Sequence, residues 1–122
     1  MYYSLEQLNY EKNRLLTLRS NVSGIISSLS ETIEQLNTPI DSLGDFCNVD
    51  GYSKYSEQLK KVKSNLENKK NYLQSSVMPS IDSEISYYNN RIEQEERRIE
   101  EERRRIEEEN RRIQEEKEKA LA

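Results

Sequence analysis

The sequence predicts an all-α protein, an antiparallel helical hairpin with a long charged C-terminal helical extension. Three observations carry that reading. Apolar residues recur in two columns of period seven between Leu5 and Leu43, the 3-4 spacing of an amphipathic helix that packs on another helix. Only three Gly and two Pro occur in 122 residues, of which 34% are charged, a composition of long helices rather than of a turn-rich compact domain. From Ile92 one heptad repeats nearly verbatim, IEQEERR, then IEEERRR from Ile99, IEEENRR from Ile106 and IQEEKEK from Ile113.

In the first arm one column is Leu8, Leu15, Val22, Leu29, Leu36 and Leu43, and the other is Leu5, Lys12, Arg19, Ile26, Ile33 and Ile40. Lys12 and Arg19 interrupt the seam. Their aliphatic stems can cover apolar surface, but the N-terminal end is expected to pack less tightly than the middle. The stretch NVSGIISSLS weakens helix propensity, Gly24 alone by about 1 kcal/mol relative to alanine. It reads either as a locally soft helix or as a surface that a neighbouring helix approaches closely. Thr38 as N-cap and Pro39 at the first helical position should start a short turn, IDSL, closed by Gly44.

Residues 44–51, GDFCNVDG, form the expected loop, and a second arm follows with Tyr52, Leu59, Leu66 and Leu73 in one column and Tyr55 and Val62 in the other. Two long helices joined by a short loop must be antiparallel neighbours. Tyr52, Tyr55 and Tyr88 sit at core spacing, so packing is expected of them. At Met78-Pro79 the phase changes to Met78, Ile85, Ile92, Ile99, Ile106 and Ile113, which predicts a kink or short break at Pro79 with helix on both sides. A turn centred near Cys47 sets Leu5 opposite Asn90, so the first arm runs out where the Glu/Arg repeats begin. The chain is thereby divided into a hairpin, residues 1–90, and a Glu/Arg-rich heptad helix, residues 91–122. That helix would extend roughly 45–50 Å.

In the extension only the leading isoleucine of each heptad is apolar. The position three residues on, apolar in a coiled-coil seam, is Glu95, Glu102, Glu109 and Glu116. Glu93–Arg97, Glu100–Arg104, Glu101–Arg105, Glu107–Arg111, Glu108–Arg112 and Glu115–Lys119 are i, i+4 pairs, each contributing about 0.2–0.5 kcal/mol in an isolated helix. The segment reads as a solvated helix held by its own pairs, as a helix docking its isoleucine stripe on another chain, or as a disordered charged tail.

Several functions find no support. Residues 91–122 hold 10 Lys+Arg against 12 Asp+Glu, the rest of the chain is equally balanced, and the net charge is −4, so no basic footprint for nucleic acid exists. There is no histidine and one cysteine, Cys47, which removes Cys/His metal sites, His-dependent mechanisms and an intrachain disulfide. Consecutive glutamates on an exposed helix have no pocket to separate their pKa values. No catalytic residue, cofactor or metal is expected. No stretch approaches the ~20 apolar residues of a membrane span, and MYYSLEQL lacks the basic and apolar regions of a secretory leader. The chain is expected to be cytoplasmic when synthesised, and any export should proceed without a cleavable leader. The candidate interface is the set of columns themselves: Leu8, Leu15, Val22, Ile26, Leu29, Ile33 and Leu36, then Leu59, Val62, Leu66 and Leu73, then Ile92, Ile99, Ile106 and Ile113.

A loop ending in Val49-Asp50-Gly51 and followed at once by a long helix, between two amphipathic arms in a short chain, resembles the WXG-type helical hairpins of Gram-positive type VII secretion. It looks most like the small helical proteins encoded beside LXG-domain toxins. The resemblance covers about residues 1–90. A Trp-x-Gly tripeptide occupies the loop in that family; here Val49 stands in place of the tryptophan and only Gly51 matches. The Tyr-x-x-x-Asp/Glu export signal of many relatives is absent after Tyr88, while Tyr2-x-x-x-Glu6 has the spacing at the other end. Phe46-x-x-x-Asp50 has the spacing of a toxin-associated motif but lies in the loop. The resemblance implies a helical partner, namely the N-terminal domain of an LXG toxin together with a second small helical protein, and leader-independent export. The alternative is a self-associating coiled-coil or stalk protein, a homo-oligomer.

Overall fold

The computed structural model describes residues 4–44 and 52–122. Among them every element is helical. They are α1 (Leu5–Gln35), α2 (Asn37–Gly44), α3 (Tyr52–Tyr72), a π-helical turn (Leu73–Val77) and α4 (Met78–Leu121). The protein is all-α, as its periodicity predicts. The degenerate Val49-Asp50-Gly51 tripeptide and all of the expected loop except Gly44 lie outside the described residues.

The start of α1 is set by a capping box. The Gln7 N–H donates to Ser4 Oγ at 3.2 Å, and the Ser4 N–H donates to Gln7 Oε1 at 3.0 Å. Two donors left over at a helix start are thus satisfied reciprocally. At the other end α1 hardly stops: only Leu36 separates it from α2, and the Leu36 and Ile40 N–H groups still reach the carbonyls of Thr32 and Leu36, both at 3.1 Å. Helix α2 begins at Asn37, so Thr38 is inside it and not its cap. Pro39 falls in the first turn, where a missing N–H costs nothing.

The described chain forms two compact units, Arg14–Glu84 and the N-terminal stretch to Asn13 with Ile85–Ala122, the boundaries falling within α1 and α4. In the first unit α2 packs on α3, and two cross-links fix an antiparallel register. Arg19 Nε donates to Asp82 Oδ1 at 2.7 Å, and Lys63 Nζ donates to Asn37 Oδ1 at 2.7 Å. The midpoint of each pair falls at about residue 50. Facing residues thus sum to about 100, against the 95 that a turn centred at Cys47 implies. Val22, Ile40 and Ile81 are buried, with Ser56 beside them, and Leu15, Ile26, Leu29, Ile33, Leu36, Leu59, Leu66 and Leu73 are half-buried.

The phase change of the second arm has a different cause from the expected kink. Across it, Leu59, Leu66 and Leu73 continue as Ile81 and Tyr88, and Ser56, Lys63 and Lys70 continue as Met78, Ile85 and Ile92. Each column advances by one residue more than a heptad. The π turn holds that extra residue: the Met78 N–H bonds to the Leu73 carbonyl, five residues back, so Ile81 is buried eight residues after the half-buried Leu73. Pro79 reinforces the choice, since its ring excludes the carbonyl four residues earlier and a regular turn cannot run through it.

In the second unit Leu8 is 1% exposed and Ile92 is also buried, while Leu5, Ile85, Tyr88, Arg91 and Glu95 are half-buried. Cover thus continues past Asn90, where the sequence ended it. From Glu101 onward every residue is exposed.

Candidate partner-binding surface

The predicted interface residues separate into three groups. Leu8, Val22 and Ile92 are buried within the chain, and Leu15, Ile26, Leu29, Ile33, Leu36, Leu59, Leu66 and Leu73 are half-buried along the intramolecular seam. Val62, Ile99, Ile106 and Ile113 are exposed. The column expected at Tyr55 and Val62 is turned outward, Tyr55 being 62% and Val62 47% exposed. Its place in the seam is taken by Ser56, Lys63 and Lys70. The lysine stems cover apolar surface while the ammonium group of Lys63 reaches Asn37, as Arg19 reaches Asp82 from the other arm. A search for apolar residues alone passes over such a column.

What remains outward is a second set of apolar side chains. On α1 they include Leu18 and Ile25, seven residues apart, besides Tyr10 and Leu16, and on α3 they are Tyr55, Val62 and Tyr72. Of these, Ile25 and Tyr72 border a trough of about 490 Å³ walled by Ile25 and Leu29 on one side and Asn68, Lys69, Tyr72 and Leu73 on the other. Next to it, Ser20, Asn21, Gly24, Ser28 and Thr32 line a shallower hollow that shares Ile25 and Leu29. A side chain built at Gly24 would meet nothing within 4 Å, so among the described residues no helix uses the close approach that glycine permits. In this hollow the Thr32 hydroxyl turns back to the Ser28 carbonyl at 3.0 Å.

The extension is laced by ion pairs of both spacings. Arg98 bridges Glu95 at 2.8 Å and Glu102 at 3.0 Å; Arg103 bridges Glu100 at 2.5 Å and Glu107 at 2.6 Å. Glu93–Arg97 forms as expected, as does Glu100–Arg104 at 3.5 Å. Arg105 turns forward to Glu109 at 3.6 Å instead of back to Glu101. No ion pair joins Glu107 to Arg111, Glu108 to Arg112 or Glu115 to Lys119 among the described residues. The two bridged rows run along opposite sides of the isoleucine stripe, so Glu102, Arg103 and Glu107 wall a groove whose floor is Ile99 and Ile106. The hydrogen bond from Arg98 holds the Glu95 carboxyl below its ordinary range, and Arg103 does the same for Glu100.

Among the described residues no helix is long and apolar enough to cross a membrane. No protein family, curated protein or solved structure matches this chain.

Proposed function

We propose that this chain is a non-enzymatic helical binding protein, an adaptor or targeting chaperone that takes up the helical N-terminal domain of an LXG-type toxin for type VII secretion. The observation that carries the reading is the outward apolar set Leu18, Ile25, Tyr55, Val62 and Tyr72, present although the seam of the hairpin is already closed. Apolar surface left over after a chain has packed on itself marks an interaction site, and paired helices offer a natural seat to a further helix. The family resemblance of the Val49-Asp50-Gly51 segment supports the choice of partner, and that of a second small helical protein. In this reading the chain is synthesised in the cytoplasm and leaves, if it leaves, with its partner and without a leader. Co-expression with an LXG-type N-terminal domain followed by gel filtration is expected to give one co-eluting complex; separate elution overturns the assignment.

A second reading, a self-associating coiled-coil protein, is favoured by Ile99, Ile106 and Ile113, whose stripe is exposed along a well-formed helix. It requires that truncation after Glu96 change the oligomeric state. An unchanged sedimentation coefficient ratio to mass would remove it.

A further inference from the structure

We propose that the trough between α1 and α3 is the docking site for one amphipathic helix with an acidic flank, supplied by another protein. The inference rests on the adaptor reading for the existence of a partner and adds where and how that partner binds. The shape comes from two antiparallel walls. Ile25 and Leu29 face Tyr72 and Leu73 across the trough; on α1 the exposed Leu18 precedes Ile25 by seven residues, and on α3 the exposed Val62 precedes Lys69 by seven. A helix with apolar residues at 3-4 spacing matches that period and would complete a three-helix arrangement.

The charge comes from the composition of the walls. Between Arg19 and Glu31 helix α1 carries no charged residue, in a chain that is 34% charged. Depletion of charge is what distinguishes the core of an interface from the rest of a surface. Helix α3 carries six lysines against Glu57 and Glu67. Lys63 is engaged by Asn37 and Glu67, but Lys69 stands at the trough itself and forms no ion pair among the described residues. An incoming carboxylate beside Lys69 meets an unopposed positive charge at the edge of an apolar floor.

A second copy of this chain fits less well. Its extension has the right isoleucine period, yet Glu95, Glu100, Glu102, Glu107 and Glu109 are already paired with arginines of the same helix. Of its other glutamates, Glu101, Glu108, Glu115 and Glu118 lie on the side of the helix away from the isoleucine stripe, so few unpaired carboxylates border the face that would dock beside the lysines.

The test uses the full chain and two synthetic helical peptides of identical apolar pattern, one with glutamates at its flanking positions and one with lysines there. Titration calorimetry is expected to show binding of the glutamate peptide, weakened by salt, and at least about tenfold weaker binding of the lysine peptide. Lys69→Glu should lower affinity for the glutamate peptide by about tenfold or more and narrow the difference between the peptides. Ile25→Asp should abolish binding; because Ile25 is exposed, the variant should unfold at the wild-type urea midpoint, and Val62→Glu on the facing wall provides the same test independently. Equal binding of both peptides, binding of neither, or full binding by Ile25→Asp overturns the site. So does a wild-type dimer in sedimentation equilibrium that Ile25→Asp disperses, or binding of anionic vesicles in preference to the glutamate peptide. Capture of the toxin domain by wild type and Ile25→Asp alike overturns this site and keeps the adaptor reading. Binding of the glutamate peptide without capture of that domain overturns the adaptor reading and keeps the site.

Discussion

Leu8 and Ser4 do different work at the same end of α1. Leu8 is the most buried side chain of the chain's described part, and truncating such a residue costs about 2–5 kcal/mol. Ser4 contributes through its cap, so Ser4→Ala should cost about 1 kcal/mol. Urea unfolding followed by circular dichroism would separate the two. The contrast case is Tyr55→Ser, expected within about 0.5 kcal/mol of wild type because the side chain is already in solvent. The capping box is legible in Ser4-Leu5-Glu6-Gln7, a serine followed three residues on by a glutamine. The seam lysines were harder to see, because Lys63 and Lys70 enter by their stems and keep their charges at the edge, so a polarity count assigns them outside.

Within the extension the titration of individual glutamates sets a pH dependence. Arg98 and Arg103 lower the pKa values of Glu95 and Glu100. A carboxylate whose folded pKa is depressed adds stability above its unfolded value, and the contribution disappears as pH falls through the folded value. The helical signal of the extension should therefore hold from neutral pH down to the ordinary glutamate range and decline below it, where the arginines are left without partners. High salt at neutral pH should lower it too, since these pairs are exposed and screened. A signal indifferent to both would mean that intrinsic propensity alone holds the helix.

At the scale of elements, the π turn is the feature on which both arms depend. Its presence was encoded in the sequence as a phase shift of one residue between Leu73 and Ile81, and the shift was readable; its mechanism was not. Proline and a phase change together suggest a kink, whereas one surplus residue in an otherwise unbroken seam requires a wider turn. Deleting Ser76 together with Pro79→Ala should convert Leu73–Val77 to an ordinary turn and leave stability at least equal to wild type. Deleting Asn89 instead should rotate Ile92 out of the seam and cost about 1.5–3 kcal/mol, the worth of that buried side chain. Equal losses from the two deletions, measured by urea midpoint, would show that the π turn is not the site of the surplus residue.

For the whole molecule, the fold class and both columns of the first arm could be read directly, because a 3-4 pattern over five heptads admits one structure. Register could not. It depends on where the loop ends, and α2 prolongs the first arm through Pro39 in a way that a Thr-Pro pair does not announce. The strongest apolar columns are drawn into the hairpin's own seam, and the apolar side chains they leave outward include the weaker row of Leu18, Ile25, Val62 and Tyr72.

That division between a closed seam and an open outer row is most directly tested by thiol labelling in a Cys47→Ser background. Single cysteines are placed at Ser56, which is buried on α3, and at Val62, which is outward on the same helix. Val62→Cys should react at the rate of an unstructured thiol, and Ser56→Cys only as fast as the chain opens. Protection at position 62 equal to or greater than that at position 56 would contradict the account.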